Sequence, residues 1–140
     1  MEFLGYERSN GTAGVRNYVV ILPANTCSNE LACEIADGVA GTVPVLHNHG
    51  CMRLQPDNEI AFKTLVGLGR NPNVAAALLL GIGCDNPTVN SMAAEIRSAG
   101  TPVDVVTVKE AGGYRNAIEA GCSIAREMMH KASLQQRVPI

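Results

Sequence analysis

Three cysteines, Cys27, Cys51 and Cys84, each stand in a short polar segment that follows an apolar run. Cys27 lies in Pro23-Ala24-Asn25-Thr26-Cys27-Ser28-Asn29, Cys51 closes His47-Asn48-His49-Gly50-Cys51, and Cys84 sits between Gly81-Ile82-Gly83 and Asp85. Thiolates are soft ligands that select zinc or iron clusters, and imidazoles suit a single zinc or iron ion. His47 and His49 flank one residue, so on an extended segment both rings point the same way. They can chelate one ion, or one of them can act as a general base. The plain reading is that cysteine is a common small core residue and that loop histidines satisfy backbone carbonyls. Cys33 and Cys122 fall mid-helix and read as packing.

A parallel sheet would bring the three segments together. Residues 17–22, 43–46, 74–80 and 103–108 are short apolar, β-branched runs that read as strands. Residues 28–39, 57–69 and 114–132 carry apolar positions at helical spacing: Leu31, Ile35 and Val39; Ile60, Ala61, Leu65 and Leu68; Ile118, Cys122, Ala125 and Met129. Residues 87–99 read as a helix with Pro87 near its first turn and Gly100 just past its end. Ser28 can cap the first helix. Alternation of strand and helix predicts an α/β fold, a three-layer doubly wound parallel sheet of about four to five strands, Rossmann-like or flavodoxin-like. In such sheets ligands sit outside the carboxyl ends of the strands, and neighbouring strands lie about 4.8 Å apart. If the first three strands are neighbours, their loops put the three thiols on one edge. Residues 1–16, with Gly5, Asn10-Gly11 and Gly14, read as an arm preceding the domain of residues 17–132. Residues 133–140 read as a tail leading onward to a region absent from the chain.

Composition narrows the function further. The 140 residues are 46% apolar and 17% charged, with a formal net charge of −2. That balance leaves no basic footprint for nucleic acid or anionic lipid. The longest apolar stretch, residues 74–83, is about half of a membrane span. With five cysteines, an odd number, and no secretory leader, a cytoplasmic, reducing compartment is expected rather than a disulfide framework. Gly81-x-Gly83 is a poor dinucleotide fingerprint, because the first strand-to-helix turn has no glycine. Arg16 could clamp a substrate carboxylate, and Arg8 reads as an ordinary solvated charge.

Several short motifs, taken in order, carry a family resemblance. Gly5-Tyr6-Glu7-Arg8-Ser9-Asn10-Gly11, Gly14-Val15-Arg16-Asn17-Tyr18, Cys27-Ser28-Asn29-Glu30, His47-Asn48-His49-Gly50-Cys51, Pro72-Asn73-Val74 and Gly81-Ile82-Gly83-Cys84-Asp85 span nearly the whole chain. The sequence resembles the middle α/β domain of altronate and galactarate dehydratases, a family that also includes sulfolactate lyases. Met52 after the cysteine, Asn10 in place of an acid and Asp85 in place of glutamate depart from the family pattern.

The resemblance implies a lyase of carbohydrate-acid metabolism that removes water or sulfite from a hydroxy acid and depends on iron, as Fe2+ or an iron–sulfur cluster. It implies Cys27, Cys51 and Cys84 near the metal, His47 or His49 as ligand or base, and Arg16 near the substrate carboxylate. The catalytic unit would need further family domains or subunits, and an apolar face left without its neighbour domain would favour a homo-oligomer. The competing readings are a non-catalytic α/β scaffold that binds a partner catalytic domain, and a free-standing thiol enzyme.

Overall fold

The arm is structured. In the computed structural model, which describes residues 2–140 with Asn86 and Pro87 as backbone only, the chain opens with β1 (Leu4–Glu7) and β2 (Ala13–Gly14). These pair antiparallel, with Gly11 at φ 80° in the connection. The regular alternation then begins: β3 (Tyr18–Pro23), a 3-10 turn (Thr26–Ser28), α1 (Asn29–Gly38) and β4 (Thr42–Pro44). It continues through α2 (Asp57–Gly69), β5 (Val74–Gly81), α3 (Asn86–Ser98) and β6 (Val103–Thr107). A short α4 (Val108–Ala111), α5 (Tyr114–Ser133) and β7 (Val138–Pro139) complete the chain.

The four apolar runs form one parallel sheet in the order β4-β3-β5-β6. β5 is buried along its whole length, as expected of a strand covered on both faces. Alternate side chains divide the core in two. Val19, Ile21, Leu78 and Leu80 pack with Leu31 and Ile35 of α1 and with Ala117, Ala125 and Met128 of α5. Val20, Leu22, Ala77 and Leu79 pack with Leu65 and Val66 of α2 and with Met92 and Ile96 of α3. Helices on both faces give the three-layer α/β architecture that the sequence predicts. Among the described residues no helix is long and apolar enough to cross a membrane.

Several local expectations change. Ser28 does not cap α1: it ends the 3-10 turn at φ −97°, ψ 2°, and its buried hydroxyl has no partner. The stripe on α2 is rotated from the expected one. Ala61, Leu65, Val66 and Gly69 are buried, whereas Ile60 and Leu68 are exposed. Gly69 decides this, because an ideal Cβ there would lie 2.5 Å from Cδ1 of Ile96, so α2 turns its smallest residue toward α3. The same close approach explains Cys122 as packing: its Sγ would lie 2.9 Å from a Cβ on Gly38, where α5 meets α1.

The two ends of the chain meet at the amino edge of the sheet. Leu4 and Gly5 pair with Pro139 and Val138, so β7 completes a small antiparallel sheet in the order β2-β1-β7. Arg8 is no idle surface charge. Its Nε donates to Pro72 O at 2.8 Å, Nη2 to Arg16 O at 3.1 Å and Nη1 to Gln135 Oε1 at 3.2 Å. Partial burial lowers the pKa of this guanidinium from its ordinary value, against an opposing effect of Tyr6. Gly14 lets the arm lie flat here, since a Cβ would sit 2.2 Å from Pro72 O and 2.6 Å from its carbonyl carbon. Those are backbone atoms and cannot step aside. Gly14→Ala is therefore expected to cost about 2–3 kcal/mol in urea denaturation, and an unchanged midpoint would show that the arm is not held this way.

Candidate functional site

Parallel pairing brings the carboxyl ends of β4, β3 and β5 side by side, and hydrogen bonds then join their loops into one surface. Thr26 N donates to His49 O at 2.8 Å, Asn29 Nδ2 to His47 O at 2.8 Å, and His47 Nε2 bonds to Pro23 O at 2.9 Å. These three bonds fasten the histidine loop to the loop after β3. The loop after β5 is fastened by Asp85, which is buried. Its Oδ1 accepts from Ile82 N and Gly83 N, both at 3.0 Å, and its Oδ2 accepts from Nδ2 of the buried Asn25. Asn25 Oδ1 in turn accepts from Cys27 N at 2.9 Å. The Asn25–Asp85 pair spans β3 and β5, the topological switch point of this strand order, where doubly wound sheets place their ligands.

Cys27, Cys51 and Cys84 are all exposed on this surface, and all are free thiols. Cys27 and Cys84 stand just before α1 and α3, and Cys51 lies in the long loop before α2. By chemistry the donors suit iron, since soft thiolates are its usual cluster ligands. By position they share an edge without closing on a common ion: among the described residues no group of three or more His, Cys, Asp or Glu is arranged to hold a metal.

The two histidines differ. A carbonyl can only accept, so His47 carries its proton on Nε2 toward Pro23 O, while its Nδ1 accepts from His49 N at 3.1 Å. Both nitrogens of His47 are thus engaged in shaping the loop. The His49 ring is exposed, with its centroid 5.4 Å from that of His47. Among the described residues the His49 ring makes no hydrogen bond to the chain.

Arg16 is not brought to this surface. It precedes the amino end of β3, with its N–H donated to Asn73 Oδ1 at 3.0 Å. Six residues of strand, about 20 Å, separate it from the Cys27 loop. The cations that do border the edge are Arg53, in the histidine loop, and Lys109, whose side chain packs over Gly83. Tyr114 opens α5 with its pKa raised, first by burial and then by the charges of Glu30 and Glu34, with Cys33 adding a smaller effect. It remains a neutral donor. Sequence reading missed Asn25, Arg53 and the role of Asp85. A usable signal for the first and last was an Asx residue just beyond an apolar strand, the position where such side chains bond nearby backbone N–H groups.

The model of the second domain of D-galactarate dehydratase/altronate hydrolase matches residues 5–133. The chain is 38% identical over 139 residues to the (2R)-sulfolactate sulfo-lyase subunit beta of Chromohalobacter salexigens, covering 98% of this chain and 34% of that protein. It is 29% identical over 150 residues to the altronate dehydratase of Bacillus subtilis, covering 99% of this chain and 29% of that protein. The altronate dehydratase of Escherichia coli is 36% identical over 94 residues, covering 60% of this chain and 19% of that protein. No solved structure matches. The chain thus spans about a third or less of the length of these relatives. It belongs to the D-galactarate dehydratase/altronate hydrolase family, to whose second domain it corresponds.

Proposed function

We propose that this domain forms one wall of the active site of an iron-dependent, cytoplasmic lyase that eliminates water, or sulfite, from a hydroxy acid. The observation that carries the proposal is the single surface built at the switch point by three hydrogen-bonded loops, each presenting an exposed thiol. The relatives' names, altronate dehydratase and sulfolactate sulfo-lyase, support elimination as the reaction class. Their greater length supports a site completed by further domains or subunits.

Elimination begins with loss of the proton next to the carboxylate, a proton too weakly acidic to leave unaided at neutral pH. Cys27, Cys51 and Cys84, which share the edge without closing on one ion here, are the residues that would hold iron once a further domain or subunit completes the site, and iron would there supply Lewis acidity against the charge that builds on the carboxylate. His49 is the residue placed to take the proton, because its ring is exposed and uncommitted whereas both nitrogens of His47 are bonded, Nε2 to Pro23 O at the end of β3 and Nδ1 to His49 N. The role of His47 is to hold His49 and Cys51 in place. Arg16, at the far edge, would meet substrate only across a boundary with another domain or subunit.

The test is turnover by the enzyme that carries this domain, with altronate and sulfolactate as substrates. His49→Ala is expected to lower kcat by about a hundredfold or more, the usual contribution of a general base, with an unchanged melting temperature. Full activity in that variant would remove His49 from the mechanism.

A further inference from the structure

The histidine loop and the start of α2 enclose a cleft of about 280 Å³, lined by His49, Gly50, Arg53, Asp57, Ile60 and Thr64 among others. Its guanidinium is the unusual member. Arg53 Nη1 donates to Gly50 O at 2.5 Å, which fixes the head of the side chain against its own loop. Arg53 Nε is buried and has no partner. Among the described residues the ion pairs are Lys63 with Glu59 and Lys131 with Glu127, so Arg53 is not neutralised by a carboxylate of the chain.

Arg8 and Arg97 are consumed by structure. Arg8 makes three hydrogen bonds in the amino-edge clasp, and Arg97 donates to Val103 O. With Nη1 held by Gly50, the side of the Arg53 fork formed by Nε and Nη2 is left over, which is a side that a carboxylate can bridge with two parallel bonds. A buried donor without an acceptor is costly, so an oxygen arriving in the cleft gains more here than at a solvated arginine.

We propose that Arg53 binds the carboxylate of a small hydroxy acid in this cleft, beside His49. This assignment rests on the functional reading above and gives the carboxylate a receptor on the same edge as the thiols. Asp57 lines the same cleft and opposes an anion there, so it would weaken binding and favour ligands whose hydroxyl can donate to it. Because Nε is buried, two-bond binding requires the guanidinium to turn toward the cleft, and the Gly50 bond limits how far the head can travel.

The experiment is an amide NMR titration of the chain with glycerate, the simplest vicinal-hydroxy carboxylate, and with glycerol and methanesulfonate as controls. Saturable shifts are expected at Gly50, Arg53 and Thr64 with glycerate and none with glycerol. Arg53→Gln is expected to weaken glycerate binding about tenfold or more, Arg53→Lys to retain part of it, and Asp57→Asn to tighten it. Methanesulfonate binding as tightly as glycerate would overturn the preference for a planar carboxylate. Shifts that do not saturate, or native affinity in a folded Arg53→Gln variant, would overturn the site. Because the readout is binding and not turnover, it fails independently of the iron chemistry.

Discussion

Asp85→Ala will lower stability by about 2–4 kcal/mol and loosen two loops at once. Asp85 accepts from Ile82 N, from Gly83 N and from Asn25 Nδ2 in a buried setting, and the alanine methyl accepts from none of them. Each buried donor left without an acceptor costs about 1–3 kcal/mol, and the three costs do not add fully because water enters once the loop opens. Asp85→Asn should be milder, since its oxygen can still take both backbone N–H groups. Its amide then opposes that of Asn25, whose own oxygen is committed to Cys27 N. Urea denaturation measures the first effect. Amide exchange measures the second, with protection lost at Ile82, Gly83 and Cys27 together. A loss confined to the loop after β5 would mean that the Asn25–Asp85 bond does not couple the two loops.

The second large effect is a dissociation of stability from activity. A variant with Cys27→Ser, Cys51→Ser and Cys84→Ser should keep its fold, because all three thiols are exposed and surface changes of this kind cost within about 0.5 kcal/mol each. Its elimination activity, in the enzyme that carries the domain, should be abolished. Cys122→Ser is the opposite control. That thiol is buried against α1, so the substitution should destabilise the domain while leaving the chemistry of the folded fraction alone. If the triple variant turned over normally, the thiols would be ornaments of the loop surface. The scaffold reading would then be preferred.

Much of the fold was legible because strand and helix periodicities are local properties. Val74 to Leu80 could hardly be anything but a central strand, and α2 spans Asp57–Gly69 as its apolar spacing predicts. The inward face of α2 was misread for a non-local reason: Gly69 against Ile96 sets the rotation of the helix, and no spacing rule anticipates that contact. The arm and the tail were hidden in the same way, since two-residue strands such as Val138–Pro139 exist only through their partners. At the site, residue type located the thiols and the histidines. Neither type nor spacing could distinguish His47 from His49. That distinction arises from Pro23 O, a backbone atom brought alongside only when β3 and β4 pair. Arg16 shows the converse limit, a residue of suitable chemistry set at the wrong end of a strand for this surface.

Iron content with optical absorption on anaerobically prepared protein tests most directly whether the thiol edge is an iron site. Iron bound to the native enzyme that carries this domain, with broad thiolate-to-iron absorption, is expected, and both should be lost in the triple cysteine variant. A colourless, iron-free native enzyme, or equal iron in the triple variant, would contradict an iron site at this edge.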